Sequence, residues 1–145
     1  MKISSKGHYA LRMLVDLAEH QNCGFISLKD ISERQNLPKK YLEQIIPVLN
    51  KAKILKTTRG SQGGYKLAKS PGQYTAGEIL RLTEGGLSPV DCFDEDEKEC
   101  ASCDESYICS FWKGLNSAIN DYLNGVTLQD ILDMKVEYYS NDYVI

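Results

Sequence analysis

The strongest constraint on this chain lies between residues 27 and 67, where two short helical patterns are parted by Asn36-Leu37-Pro38 and followed at once by a strand, a glycine-rich loop and a second strand. Ser27-Leu28-Lys29-Asp30 reads as a capping box, in which Ser27 accepts from a first-turn amide while Asp30 reaches back. It opens a short helix through residue 34, with Leu28 and Ile31 facing inward. Pro38 suits the first position of the next helix, because its missing N–H would be unpaired there anyway. In that helix Tyr41, Leu42, Ile45, Ile46 and Leu49 recur at three- and four-residue steps, leaving Lys39, Lys40, Glu43, Gln44 and Asn50 to project outward. Pro47 removes the helical partner of the Glu43 carbonyl and predicts a kink or an early end. Ile54-Leu55-Lys56-Thr57 and Tyr65-Lys66-Leu67 then alternate as the arms of a hairpin around Gly60-Ser61-Gln62-Gly63-Gly64. With a supporting helix over 5–20, lined by Tyr9, Met13, Leu14 and Leu17, this order is that of a winged helix-turn-helix.

The remainder adds helices. Ser70-Pro71-Gly72 marks a boundary, and Thr75-Ala76-Gly77-Glu78 caps a helix carrying Ile79, Leu80 and Leu82 that ends at Gly85-Gly86. Residues 88–110 read as an irregular acidic loop rich in cysteine. A long amphipathic helix over 111–124 shows Trp112, Leu115, Ile119, Tyr122 and Leu123 on one face, and Thr127-Leu128-Gln129-Asp130 caps a last short helix. The fold class is therefore mostly α with a small β wing. It divides into a winged helix-turn-helix domain (1–70), a connecting helix and cysteine-rich loop (71–110), the long helix with a short C-terminal helix (111–135) and a loosely held tail (136–145). A helix this apolar, following a small domain that already has its core, is best satisfied by the same helix of a second chain, so a homodimer is expected.

Composition sharpens the reading through its distribution. The net charge of −3 is the sum of +8 over residues 1–70 and −11 over residues 71–145, so a polyanion is expected to meet the first half alone. Lys39, Lys40, Gln44, Thr57, Thr58, Arg59 and Lys66 supply charge and donors on the two elements suited to meet a duplex, while Glu43 can accept from a cytosine amino group. The two lysines are better suited to phosphates than to bases, because an ammonium lacks a fixed fork. Arg59, beside a glycine-rich tip, can approach a minor groove closely. The alternative is a solvated face used for protein contacts. No stretch approaches the roughly 18 apolar residues of a membrane span, and Asp16, Glu19 and His20 interrupt the N-terminus where a signal peptide would be apolar. A cytoplasmic protein with no membrane partner is expected. With two histidines, no phosphate loop and no nucleophile arrangement, no enzyme is expected.

Cys92, Cys100, Cys103 and Cys109 fall within 18 residues, whereas Cys23 stands alone beside Gly24. In a reducing compartment clustered thiols point to a metal before a disulfide. Four thiolates can hold zinc or an iron–sulfur cluster, and the spacing leaves both open. The surrounding Asp94, Glu95, Asp96, Glu97, Glu99, Asp104 and Glu105 oppose thiolate formation, which an incoming cation would offset.

Five separated segments, MKISSKGHYALRMLVDLA, YLEQI, RGSQGGYKLA, TAGEILRLTEG and VTLQDIL, together resemble the IscR/NsrR/CymR (Rrf-type) family of bacterial transcription regulators over residues 1–134. The resemblance implies a homodimer joined through the long helix and binding a double-stranded operator, most simply as a repressor. It places Glu43 as a base-reading glutamate and Arg59 as a wing arginine, and it implies a 2Fe–2S or 4Fe–4S centre sensing iron–sulfur status, nitric oxide or redox state, usually on three cysteines. Cluster-binding members commonly place the last cysteine six residues before the position of Trp112. Here Cys109 lies three before it, where some members have a histidine, and Cys103 lies nine before it. Either all four cysteines ligate, or three do with one spare. Because some members complete the centre from the partner's first helix, His8 is a further candidate. CymR-like members lack the cluster cysteines, so the cysteine loop argues against that subgroup. The alternative function is a zinc-stapled or cluster-free DNA-binding regulator of cysteine and sulfur metabolism.

Overall fold

Ser4 opens the first helix by accepting from the Gly7 N–H at 3.3 Å, and that helix becomes the axis of the molecule. The computed structural model describes residues 2–90 and 107–141. Helix α1 (Ser5–Glu19) buries Ala10, Met13, Leu14, Leu17 and Ala18 and touches helices α2 (Leu28–Gln35), α3 (Lys39–Lys51), α4 (Ala76–Glu84) and α6 (Leu128–Asn141). The apolar cluster around it takes Ile31, Leu42, Ile45 and Leu49 from the helix-turn-helix. From beyond residue 70 it also takes Tyr74, Ile79 and Leu128, so one core serves both halves of the chain.

The turn between α2 and α3 follows from its residues. Asn36 takes the left-handed conformation (φ 52°) that its short polar side chain tolerates, and Leu37 inserts into the core. Pro38 has an extended ψ of 124° and so precedes α3 as its cap, one position earlier than the sequence predicts. Helix α3 runs through Pro47 to Lys51, with no early end. Pro47 lies on the exposed face, where water can satisfy the Glu43 carbonyl, while buried Leu49 beyond it holds the next turn against the core. Tyr41, expected to face inward, is 46% exposed.

Strands β1 (Leu55–Thr58) and β2 (Gly64–Leu67) pair antiparallel, with Leu55 opposite Leu67, Lys56 opposite Lys66 and Thr57 opposite Tyr65. A third segment joins them: Ile26 and Tyr65 exchange backbone hydrogen bonds of 2.9 and 2.8 Å. That approach explains Gly64, since a side chain there would run into the Ile26 carbonyl. Tyr74 ties down the exit of the wing, its hydroxyl accepting from the Lys69 N–H at 3.0 Å and donating to the Ile54 carbonyl at 3.3 Å.

Helix α4 starts with Thr75 accepting from the Glu78 N–H at 3.1 Å and stops at Gly85, which has a φ of 79°. Helix α5 (Tyr107–Gly125) begins four residues earlier than the sequence predicts, so Cys109 sits in its first turn, 4% exposed, and not in a loop. The expected single apolar face of α5 is in fact two. Trp112, Ile119 and Leu123 are half-buried along the side that carries buried Cys109. Ile108, Phe111, Leu115, Ala118 and Tyr122 form an exposed stripe at three- and four-residue steps. Helix α6 is also longer than expected and continues to Asn141, through much of the segment read as a tail. It is held by fully buried Leu128, by packing of Leu132 on the core, and by an ion pair between Lys135 and Glu19 of α1 at 2.5 Å. No helix among the described residues is long and apolar enough to cross a membrane.

Candidate nucleic-acid interface

The N-terminus of α3 differs from its neighbours. Helices α1, α2, α4 and α6 each have a Ser or Thr hydroxyl accepting from a first-turn amide, through Ser4, Ser27, Thr75 and Thr127. Helix α3 follows Pro38, which offers no side-chain cap. The Tyr41 N–H turns instead to the Pro38 carbonyl at 3.0 Å, and the amides of exposed Lys39 and Lys40 face solvent or an anion. Glu43 and Gln44, one turn on, are also exposed. The four predicted residues of this helix therefore share its outer surface.

On the wing, Thr57, Thr58 and Arg59 are exposed, and Thr57 is held by its hydroxyl donating to Asn50 Oδ1 of α3 at 3.2 Å. The turn after Arg59 depends on Gly60, whose φ of 108° strains any residue with a side chain. Lys66 is half-buried, with its ammonium 4.7 Å above the ring of Phe25, a cation–π contact that directs the charge. Strand register brings exposed Lys56 opposite Lys66 on the same face. Sequence reasoning passed over Lys56 and Phe25. The period-2 alternation could have found Lys56, but Phe25 comes from a segment whose pairing with the wing is not local.

The first helix of the motif, α2, is held to α1 by Asp16, which is 1% exposed yet charged. Burial raises its pKa, but hydrogen bonds from Arg34 (Nη2 at 2.7 Å, Nε at 3.0 Å) and Gln35 (Nε2 at 2.9 Å), with the charges of Arg34 and His20, outweigh this and hold it below the usual value. The Arg12 guanidinium donates to the Gln35 carbonyl, closing the end of α2. Tyr9 of α1 meets Tyr41 of α3 edge-on at 5.5 Å, and His8 lies against Tyr9 at 5.9 Å. Helix α3 thus stands on a rigid support.

Of the four clustered cysteines, Cys109 alone is among the described residues; Cys92, Cys100 and Cys103 lie outside them. Among the described residues no group of three or more His, Cys, Asp or Glu converges to hold a metal, and His8 packs with Tyr9. The donor chemistry, four thiols with one buried in the first turn of a helix, fits a soft metal or an iron–sulfur centre.

Residues 3–134 match the Rrf2 family, described as an iron-dependent transcriptional regulator. The HTH-type transcriptional regulator CymR of Bacillus subtilis (strain 168) is 37% identical over 90% of this chain and 89% of its own length. The solved structure of CymR from B. subtilis, described as its global cysteine regulator, superposes with a TM-score of 0.76 at 36% identity, over 92% of this chain and 98% of that one. The HTH-type transcriptional regulator IscR of Pectobacterium carotovorum subsp. carotovorum (strain PC1) is 33% identical over 93% of this chain and 81% of its own. The solved structure of T. potens IscR reaches 41% identity and a TM-score of 0.73, over 93% of this chain and 88% of that one.

Proposed function

Because the chain belongs to the Rrf2 family and is a DNA-binding transcriptional regulator, we propose that it binds a duplex operator as a homodimer and represses transcription according to the state of its cysteines. The observation that carries the DNA side is the start of α3, which has no side-chain cap, with Lys39 and Lys40 at its first amides and Glu43 and Gln44 one turn behind. The lysines take phosphates, Glu43 and Gln44 face base edges in the major groove, and Arg59 with Thr57, Thr58 and Lys66 takes the flanking backbone or minor groove. The exposed stripe of α5 supplies the dimer contact, placing two recognition helices about one helical turn of DNA (~34–36 Å) apart.

Cys92, Cys100, Cys103 and Cys109 would hold an iron–sulfur cluster, three or all four as ligands, with His8 of the partner as a further candidate. When bound, such a centre supplies one-electron chemistry and reactivity toward nitric oxide and oxygen. Cys109 occupies the first turn of the helix that bears the stripe, so whatever holds its sulfur also positions α5. A second reading is favoured by the likeness to CymR: a cluster-free or zinc-stapled regulator of cysteine metabolism.

One preparation tests both readings. Anaerobically purified protein is expected to show visible absorbance with matching iron and sulfide. Cys92→Ala and Cys109→Ala should each abolish it, and Arg59→Ala should weaken operator binding by about 1–3 kcal/mol at fixed salt. Colourless protein with stoichiometric zinc, or without metal, selects the second reading. Spectra unchanged by the cysteine substitutions reject the cluster ligands, and unaltered affinity rejects Arg59 as a reader.

A further inference from the structure

Helix α4 packs against α1, α3 and α5, and it reaches two of these, α1 and α5, with one polar side chain each. Toward α5, Arg81 donates from Nη1 to Asn124 Oδ1 at 2.7 Å and from Nη2 to Asn120 Oδ1 at 2.6 Å. Three residues later, Glu84 Oε1 accepts from the Ser4 hydroxyl at 2.6 Å and from the Ser4 N–H at 3.2 Å, at the start of α1. A carboxylate there also complements the positive end of the α1 dipole. Each contact sits where a glycine lets the helices close up. A side chain at Gly77 would come within 2.6 Å of Asn124 Oδ1 and 2.8 Å of Arg81 Nη1, and one at Gly7 would collide with Glu84 Oε1.

The apolar underside of α4, buried Ile79 and Leu80, keeps it against its neighbours. Apolar contact is non-directional, so by itself it leaves α4 able to slide along them. Hydrogen bonds select one position. From α1 the constraint passes to the recognition helix, through Tyr9 against Tyr41, and to α2, through Asp16 and Arg34.

We propose that Arg81 and Glu84 are positioning residues that fix the recognition helix relative to α5, and so set the half-site spacing that the dimer reads. The inference rests on the reading above that α5 joins two copies on a two-half-site operator. In a two-fold dimer a displacement in one protomer is repeated in the other. One base pair inserted between half-sites moves the second by about 3.4 Å and turns it by roughly 35°, a mismatch that a rigid spacer does not absorb and a loosened one does.

The test uses the full chain. Wild-type protein selects duplexes from a random-sequence pool, and the best is remade with one base pair inserted or deleted at its centre. Wild type is expected to lose roughly tenfold or more on each respaced duplex, as for a mismatch in a specific site. Arg81→Ala, Glu84→Ala, Gly7→Ala and Gly77→Ala are expected to bind the original duplex nearly as well, and to lose only about two- to threefold on the respaced ones. Asn124→Ala removes one Arg81 bond from the other side, should Arg81→Ala fail to fold. A spacing penalty equal to that of wild type in every folded, dimeric variant overturns the proposal alone. If wild type selects no duplex with paired half-sites, the two-half-site reading falls and the proposal with it.

Discussion

Helices α1 and α5 are both amphipathic and of similar length, yet they end in opposite states. Of the 15 residues of α1, seven are buried: Gly7, Ala10, Met13, Leu14, Asp16, Leu17 and Ala18. Of the 19 residues of α5, Cys109 alone is buried, and Phe111 and Tyr122 stand 59% and 64% exposed. An apolar face is a demand for a partner; α1 meets it within the chain, whereas among the described residues the stripe of α5 stays exposed. The comparison separates two uses of one sequence pattern: α1 is the keel of the fold, and α5 carries the face proposed above for association.

Three variants break or sharpen that contrast. The largest effect is expected at Leu14→Ala in α1, which leaves a cavity in a fully buried position and should cost about 3–4 kcal/mol of unfolding free energy in denaturant titration. A loss below about 1 kcal/mol would mean α1 is not the keel. Asp16→Asn should cost about 2 kcal/mol near neutral pH, since it takes a charge from a buried, fully hydrogen-bonded set whose Arg34 partner can still turn to water. Because the folded pKa of Asp16 is depressed, its contribution is complete above the ordinary aspartate value of about 3.9 and fades as pH falls below it toward the folded value. The substitution should therefore flatten the acid limb of stability in that window, and an unchanged limb would relieve Asp16 of this role. The smallest effect on the monomer belongs to Phe111→Ser with Tyr122→Ser, both exposed, which should leave unfolding within about 0.5 kcal/mol per site. The same pair should raise the dimer dissociation constant about tenfold in sedimentation. A dimer indifferent to both removes the stripe from the interface.

Much of the architecture was legible because its signals are local. Ser27, Thr75 and Thr127 announce helix starts, Gly85 announces a stop, and alternation around Gly60–Gly64 announces a hairpin; each depends on groups a few residues apart. That Lys39, Lys40, Glu43 and Gln44 face outward was legible for the same reason, as the outer positions of a helix whose inner ones are apolar. Where local rules failed, a distant contact had intervened. Pro47 did not end α3, because Leu49 is anchored in a core that α3 shares with α1. Residues 136–141 are helical because α6 lies along α1 and is pinned through Glu19.

The sequence by itself determined where the helices capped by Ser or Thr begin, which half is basic, and that Lys39, Lys40, Glu43 and Gln44 face outward. All of these depend on neighbours along the chain and on the sign of charge. Only the tertiary structure decided that Ile26 joins the wing, that the apolar positions of α5 divide between α4 and solvent, and that Arg81 and Glu84 reach elements 39 and 80 residues away. Periodicity names a face but not its partner, and the partner is chosen by packing between segments remote in sequence.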